Sequence, residues 1–161
     1  MRGPYLFPVL RGQKVTALRV CDAATVPTAG SPSFGAVALQ CERHALLCYC
    51  PVRYLLYPHG SIFGRWGGTT AALPFRATLC EVEDLEDWLP LTAGAHWSHH
   101  VASTPCPVGK VLAEAPQMVK TEDAADWRLA FRFTGKGQLL LSRIAACNRL
   151  QFVPAEADWA G

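Results

Sequence analysis

The sequence lacks long hydrophobic runs, and this absence argues against a membrane-spanning helix. Arg, His, Pro or Gly interrupts every apolar stretch before it reaches the roughly 18 to 20 residues that a span requires. The first residues also lack the continuous apolar core of a secretory signal, and Pro4 and Pro8 break the amphipathic helix that an organellar transit peptide forms. We therefore expect a cytoplasmic protein, with an organellar location as the alternative.

Signatures of catalysis and nucleotide binding are also missing. The chain has no G-x-S-x-G elbow and no dinucleotide fingerprint, and its glycine-rich tract 60–68 lacks the Lys-Ser/Thr pair that completes a P-loop. No repeat with a period of about 20 to 50 residues occurs, which excludes solenoid folds. These absences favour a binding protein over an enzyme.

Charge is scarce, because only 17% of the residues are charged while 50% are hydrophobic. This composition supplies ample apolar material for a core and argues against disorder. The length of 161 residues suits one ordinary domain, so we expect a single domain over residues 1–161. Because a small domain cannot easily bury so much apolar material, we also expect an apolar docking surface for a protein partner.

Turn-forming residues are frequent and predict short strands. Thirteen Gly and twelve Pro divide the chain into pieces with alternating β-branched or aromatic residues. The segment 127–133 alternates, turns at a Gly-Lys-Gly tip and returns as 138–142, which predicts a hairpin. The apolar segment 36–50 fits a buried helix or a hairpin turning at 42–44, and the strand-like residues after it favour the hairpin.

Two short helices complete the expected fold. Thr78 and Glu81 have the spacing of a capping box, which predicts a helix over about 79–89. Ser142 is placed as the N-cap of a second helix over 143–150. We therefore expect an α+β fold that is β-rich, with mainly an antiparallel sheet or a partly open barrel and these two helices.

Four zinc-type ligands lie within one short stretch. Thiolate and imidazole are preferred ligands of zinc, and four of them close a structural site. The spacing is not that of paired C-x2-C knuckles, and the seven scattered cysteines also suit free thiols buried in a core. Zinc is thus the one cofactor that the pattern admits, as an alternative to buried thiols. The candidate ligands are Cys41, His44, Cys48 and Cys50.

Three histidines lie close together at His96, His99 and His100, shortly before Cys106. Such a group suits acid–base catalysis, metal binding or pH sensing. The segment lacks both the H-E-x-x-H arrangement and a neighbouring carboxylate, which weakens the catalytic interpretation. A small metal-dependent or Cys/His hydrolase that uses this segment is therefore an alternative function.

The two halves of the chain carry opposite charge. Residues 1–80 hold eight bases and two acids, whereas residues 81–161 hold seven bases and eleven acids. A basic surface suits phosphate or an acidic partner, and arginines on the solvent face of the C-terminal hairpin suit an RNA backbone. The candidate nucleic-acid contacts are Arg65, Trp66, Arg128, Arg132, Lys136 and Arg143.

These observations favour a non-enzymatic subunit or binding module of a larger assembly, of which a ribonucleoprotein is one kind. The module is expected to act through a basic, arginine-rich face and an apolar docking surface, with a protein and RNA as its partners. Two alternatives stay open, namely the hydrolase that uses His96–His100 and a structural zinc-binding module at Cys41–Cys50.

Overall fold

Two five-stranded antiparallel sheets form the fold in the computed structural model, which describes residues 2–25, 32–50, 72–89, 96–99, 106–122, 124–135 and 137–153. The first sheet has the order β1 (Arg2–Tyr5), β9 (Gln117–Val119), β10 (Arg128–Arg132), β11 (Gln138–Ile144) and β12 (Arg149–Val153). The second has the order β7 (Arg76–Glu81), β6 (His44–Tyr49), β5 (Ala36–Cys41), β2 (Val15–Cys21) and β8 (Trp97–His99). A two-stranded ribbon contains β3 (Ala24–Thr25) and β4 (Pro32–Ser33).

Helical structure is limited in the described residues. It consists of two 3-10 turns, Pro8–Leu10 and Val82–Asp84, and the single α-helical turn α1 (Leu85–Trp88). None of these is long or apolar enough to cross a membrane.

The main hydrophobic core draws side chains from both sheets. Leu129 and Phe131 of the first sheet belong to the same buried cluster as Val37, Leu39 and Leu46 of the second. Alternation along each strand aims these side chains at the core, and burying each large one stabilises the fold by roughly 1.5–3 kcal/mol. The predicted hairpin of β10 and β11 is confirmed, because Leu129 to Arg132 pair with Leu141 to Gln138.

The second sheet is buried on both of its faces. Leu46 and Cys48 face the main core, whereas Ala45 and Leu47 belong to a separate buried cluster on the outer face. The predicted hairpin in 36–50 is confirmed, with Glu42 and Arg43 as the residues between β5 and β6. Burial on two faces explains why the sequence there is continuously apolar and shows no alternation.

A β-bulge changes the facing of side chains in β2. In a regular strand Val15 and Ala17 would share a face, but the pairing of β2 with β5 shifts between these residues. As a result Val15, Leu18 and Val20 all lie in the main core. The bulge accounts for the spacing of three residues between the core side chains Val15 and Leu18, where a regular strand has an even spacing.

The helix predicted over 79–89 is wrong for its first three residues, 79–81, which belong to a strand. Thr78 and Glu81 lie in β7, where they pair with Leu47 and His44 of β6. Pairing with a buried neighbouring strand satisfies the backbone of this segment, so the capping-box spacing has no effect. Helical structure begins only at the 3-10 turn Val82–Asp84.

The second predicted helix, over 143–150, is also wrong. Residues up to Ile144 belong to β11, residues from Arg149 belong to β12, and Arg143 pairs with Leu150. Asn148 adopts a left-handed conformation with φ of 53°, which Asn tolerates better than most residues, and it closes the turn between the strands. In the part of the chain that the structure describes, the fold is β-rich, with two five-stranded antiparallel sheets that do not close into a barrel.

A buried arginine joins the two sheets at one edge. Phe34, which precedes β5, exchanges two backbone hydrogen bonds of 2.7 Å with Leu150 in β12. Beside this contact Arg149, which is 8% exposed, donates from Nε to Ser33 Oγ at 2.8 Å and from Nη2 to the carbonyl of Ser33 at 3.1 Å. Arg149 Nη2 also donates to the carbonyl of Asp22, at the end of β2. One guanidinium thus holds β12, β4 and β2 together.

Replacing this arginine is expected to destabilise the fold strongly. Arg149→Lys keeps the charge but cannot serve three acceptors in three directions, so two buried oxygens lose their donor. We expect the free energy of unfolding to fall by about 2–4 kcal/mol, measured by urea denaturation. The control Arg128→Lys, at a half-buried arginine of β10, is expected to change it by less than about 0.5 kcal/mol. Equal stability of Arg149→Lys and wild type would contradict the role of Arg149 in holding the three strands together.

Candidate functional site

The candidate zinc ligands lie in or beside the core, and the structure does not gather them. Cys41, Cys48 and Cys50 all belong to the main core cluster. His44 is half-buried, and its Nδ1 lies 2.9 Å from Nε2 of Gln13. Among the described residues, one group of three metal-ligating side chains has its ligand atoms within 4.8 Å of one another, and it contains none of these four. It consists of Glu81, Glu83 and Asp84.

Burial also makes the thiols poor nucleophiles. It raises the pKa of Cys41 to about 12, with a smaller contribution from Glu42. Burial likewise raises the pKa of Cys80 to about 12 and raises that of Cys48 further. These three thiols are therefore protonated at neutral pH, whereas attack on a substrate requires the thiolate.

The histidine segment lies at an edge of the second sheet. His96 and His99 are exposed, and His99 pairs with Arg19 at the edge strand β8, whereas His100 lies outside the described residues. Within the described part of the chain, the carboxylate bonded to this segment is that of Asp22, whose Oδ1 accepts from the backbone N–H of His96 at 3.3 Å. This hydrogen bond is formed by the backbone of His96, and its imidazole takes no part in it.

The predicted arginine face is only partly assembled. Arg128 and Arg132 share the outer face of the first sheet, as the alternation predicts. Arg143 pairs with Leu150, a residue of the main core, and so lies on the opposite face at the end of its strand. It donates to Asn148 Oδ1 at 2.8 Å. The remaining candidates, Arg65, Trp66 and Lys136, lie outside the described residues.

Arg132 is held by an internal network. Its Nη1 donates to Glu114 Oε1 at 2.9 Å and to Gln117 Oε1 at 2.8 Å, and the hydroxyl of Tyr5 donates to Glu114 Oε2 at 2.7 Å. Burial alone would raise the pKa of Glu114, but the hydrogen bonds from Arg132 and Tyr5 outweigh it and lower that pKa. The charge of Arg132 is thus compensated by Glu114, and the network ties β1 to the rest of the sheet.

A different set of bases converges where three turns meet at one end of the sheets. Gly12 and Gly109 have φ of 84° and 90°, a conformation that Gly adopts without strain. The backbone N–H of Gly12 donates to Leu112 at 2.9 Å, and that of Gly109 donates to Val15 at 2.9 Å. On the other side, the N–H of Glu42 donates to the carbonyl of Lys14 at 3.1 Å. Residues 11–14 therefore lie between the turn at 42–43 and the segment 109–112.

The buried side chain of Gln13 holds these turns in place. It is 2% exposed, and its Nε2 donates to the carbonyl of Val9 at 2.9 Å. Its Oε1 accepts the backbone N–H groups of Arg43 at 3.0 Å and His44 at 3.2 Å. The same buried amide group forms hydrogen bonds with backbone groups of both segments. The segment at 9–14 and the hairpin turn at 42–44 are therefore held at a set separation.

We call this surface the basic end, and its exposed bases are Arg11, Lys14, Arg43 and Lys110. The one carboxylate within these turns is Glu42, whose Oε1 accepts from the backbone N–H of Lys14 at 3.0 Å. Among the described residues, no acid forms an ion pair with Arg11, Lys14 or Arg43. Counted over these turns alone, the basic end therefore carries four cations and one anion. The backbone N–H of Val82 donates to the carbonyl of Arg43 at 2.9 Å, so Glu81 and Glu83 lie just beside it.

Sequence reasoning missed the basic end because its residues are distant along the chain. The excess of bases in residues 1–80 was the available signal, since Arg11, Lys14 and Arg43 all contribute to it. Strand pairing, which the charge count does not reveal, brings them together and adds Lys110 from the second half.

Comparison with protein-family models, with curated proteins and with solved structures finds no match for the chain. What it binds has to follow from its own geometry and charge.

The reactivity of the seven cysteines is expected to separate into two classes. Cys106 and Cys147 are exposed, whereas the other five are buried. In native protein at pH 8 we expect two thiols to react rapidly with an aromatic disulfide reagent and five to react at least about a hundredfold more slowly. Mass spectrometry of alkylated peptides identifies the fast pair. Rapid labelling of Cys48 would contradict its place in the core.

Acid is expected to weaken the network at Glu114. Its pKa is lowered by folding, so its contribution to stability is present above the ordinary carboxyl pKa and is lost as pH falls through the lower, folded-state value. The stability difference between wild type and Glu114→Gln should therefore shrink between about pH 5 and pH 3, in urea denaturation at each pH. Glu122→Gln, at an exposed carboxylate, is the control, and an equal pH dependence in both variants would contradict the network.

Proposed function

We propose that the chain is a non-enzymatic binding module of a larger assembly, and that it holds the phosphate backbone of RNA at the basic end. The observation that supports this proposal is the convergence of three exposed bases, Arg11, Lys14 and Arg43, on turns fixed by main-chain hydrogen bonds, with no ion-pair partner for them among the described residues.

Electrostatics favour an anion at this surface. Like charges brought together by folding repel one another, and a bound polyanion removes that repulsion. Two of the cations are arginines, whose guanidinium groups match phosphate oxygens in pairs. Because Gln13 and the backbone hydrogen bonds already hold the turns in place, binding orders little additional backbone, which reduces its entropic cost.

The surface around the basic end suits an assembly contact. The large apolar side chains that are exposed in the described residues are Tyr5, Val9 and Val108. Val9 lies two residues before Arg11, and Val108 lies two residues before Lys110. A partner that covers the RNA and this end of the module would bury both valines, which is how we place the protein partner.

Binding is expected to depend on salt and on the bases at this end. We expect a fluorescently labelled single-stranded RNA of about 12 nucleotides to bind with an affinity that falls as salt rises, measured by fluorescence anisotropy. In the double variant Arg11→Gln with Arg43→Gln, the slope of log affinity against log salt should become shallower by about 1.4, since each phosphate contact to a single strand contributes about 0.7.

A matched pair of bases elsewhere serves as the control. Arg2 and Arg128 both pair with Val119 and so lie together on the outer face of the first sheet, in the region where the alternation predicted RNA contacts. Changing both to Gln removes the same charge and is expected to leave the salt slope unchanged. If this control loses binding while the basic-end variant keeps it, RNA binds the sheet face and the basic end is not the site. Salt-independent or absent binding overturns the proposal.

A further inference from the structure

The side-chain amide of Gln13 can adopt only one orientation at the basic end. Its Oε1 accepts the backbone N–H groups of Arg43 at 3.0 Å and His44 at 3.2 Å, and its Nε2 donates to the carbonyl of Val9 at 2.9 Å. Exchanging the oxygen and the nitrogen would set the amino group against two N–H donors and the oxygen against a carbonyl. Because Gln13 is 2% exposed, water cannot replace the partners that this exchange would remove. The neighbouring backbone groups therefore fix the orientation of the amide.

This orientation determines the protonation state of His44. Nε2 of Gln13 lies 2.9 Å from Nδ1 of the His44 ring, and an amide nitrogen can only donate. Nδ1 must therefore accept, which it does only when it carries no proton, so the ring is neutral and holds its proton on Nε2. Protonation of Nδ1 would set two donors against each other at this distance. The contact with Gln13 thus exists only while His44 is uncharged.

Three clustered carboxylates lie across the sheet from this ring. Glu81 of β7 is directly opposite His44, and opposed residues of paired strands share a face. The carboxylate oxygens of Glu81, Glu83 and Asp84 lie within 4.8 Å of one another. Among the residues that the structure describes, no base forms an ion pair with any of the three. Negative charges this close repel one another, and a cation beside them lowers that repulsion.

The other titratable groups near His44 have different roles. Cys41, the last residue of β5, stays neutral at physiological pH because burial raises the pKa of its thiol to about 12. Glu42 accepts from the backbone N–H of Lys14. The bases of the turn and of segment 11–14 repel a protonated ring, but their long exposed side chains can extend away from it, whereas strand pairing holds Glu81 opposite. These bases are Arg11, Lys14 and Arg43.

We propose that His44 is a pH-sensitive switch at the basic end. While it is neutral, the ring accepts from Gln13. Once it is protonated, the ring loses that contact and turns toward Glu81, where its charge offsets the clustered carboxylates. The ring is half-buried and so in part open to solvent, which lets a proton reach it. Histidine changes its charge between about pH 5 and pH 8, and the two positions of this one side chain are the states that the proton selects.

The switch adjusts the RNA-binding surface, and this part of the proposal rests on the function proposed above. Glu81 and Glu83 lie beside Arg43, where they repel a phosphate backbone. A protonated His44 adds one positive charge and offsets Glu81 at the same time, so RNA binding strengthens as pH falls. The turns stay in place, because Gln13 keeps its three hydrogen bonds to backbone groups.

The switch itself is tested without RNA, by NMR of the full chain between about pH 8 and pH 5. We expect the His44 ring to carry its proton on Nε2 at the upper end, and the side-chain amide signals of Gln13 to shift together with the His44 titration. Glu81→Gln should move the midpoint of the His44 titration to lower pH by at least about 0.3 units, because removing an opposed negative charge disfavours the charged ring. Glu122→Gln, at an exposed acid after β9, is the control and should leave the midpoint unchanged.

Three results would each overturn the switch. They are a neutral ring whose proton is on Nδ1, amide signals of Gln13 that do not follow the His44 titration, and an equal midpoint in wild type and Glu81→Gln. None of these measurements requires a variant of His44 itself to fold.

The effect on RNA is tested by fluorescence anisotropy with the same labelled RNA, at about pH 8 and pH 5.5. We expect the affinity of wild type to rise at least about threefold at the lower pH, since one added charge beside the phosphates has a modest effect. In His44→Asn the rise should be largely absent, because the Asn oxygen still accepts from Gln13 but the side chain does not titrate. His99→Asn, at an exposed histidine of the edge strand β8, is the matched control and should keep the rise.

The two proposals fail in different ways. If His44→Asn keeps the full rise in affinity, other groups cause the pH effect, and the regulation of RNA binding by His44 is overturned. If no RNA binds at either pH, the proposed function fails, while the NMR titration still decides whether His44 is a switch.

Discussion

The second sheet is buried on both faces, and this constraint determines where the chain can place its polar and charged groups. Strands β5 and β6 direct side chains to the main core on one side and to the outer cluster on the other. A strand in that position has no solvent face, so it can hold only apolar side chains, small ones, or polar ones that find partners. The high apolar content of the sequence is used largely inside the molecule.

Burial of the second sheet on both faces also accounts for the positions of the buried cysteines. Cys21, Cys41, Cys48, Cys50 and Cys80 are small enough to fit between strands that pack closely, and burial raises the pKa of Cys41, Cys48 and Cys80. A thiol in such a position behaves as a small hydrophobic group. The cysteines thus contribute to packing, and their number gives no indication of catalysis.

Charged residues lie mainly in the turns and at strand ends, because the central strands are buried on both faces. At the basic end Arg11, Lys14 and Arg43 form no ion pair with an acid of the described residues. On the first sheet Arg132 is compensated by Glu114, and on the second Arg19 is compensated by Glu86. This contrast between compensated and uncompensated bases is the reason for placing the anionic partner at the turns.

Local pattern was sufficient where it marks an alternating strand or a polar turn between two apolar runs. The hairpin of β10 and β11 follows from its alternation, and the turn at Glu42 and Arg43 follows from polar residues between two apolar runs. Local pattern failed where strand pairing overrides it. Thr78 and Glu81 fit a capping box, and Ser142 fits an N-cap, yet all three are in strands because a neighbouring strand supplies their backbone hydrogen bonds.

The sequence by itself determined the β-rich character, the two hairpins and the placement of Arg128 with Arg132 on one face, since these depend on residues close along the chain. Tertiary structure alone decided which bases meet, which thiols are buried and which side chains form the outer cluster of the second sheet. These depend on contacts such as Gln13 with Arg43 and Arg149 with Ser33, whose partners lie 30 and 116 residues apart. Hydrophobic periodicity reports how one segment meets the core and carries no information about which distant segment lies beside it.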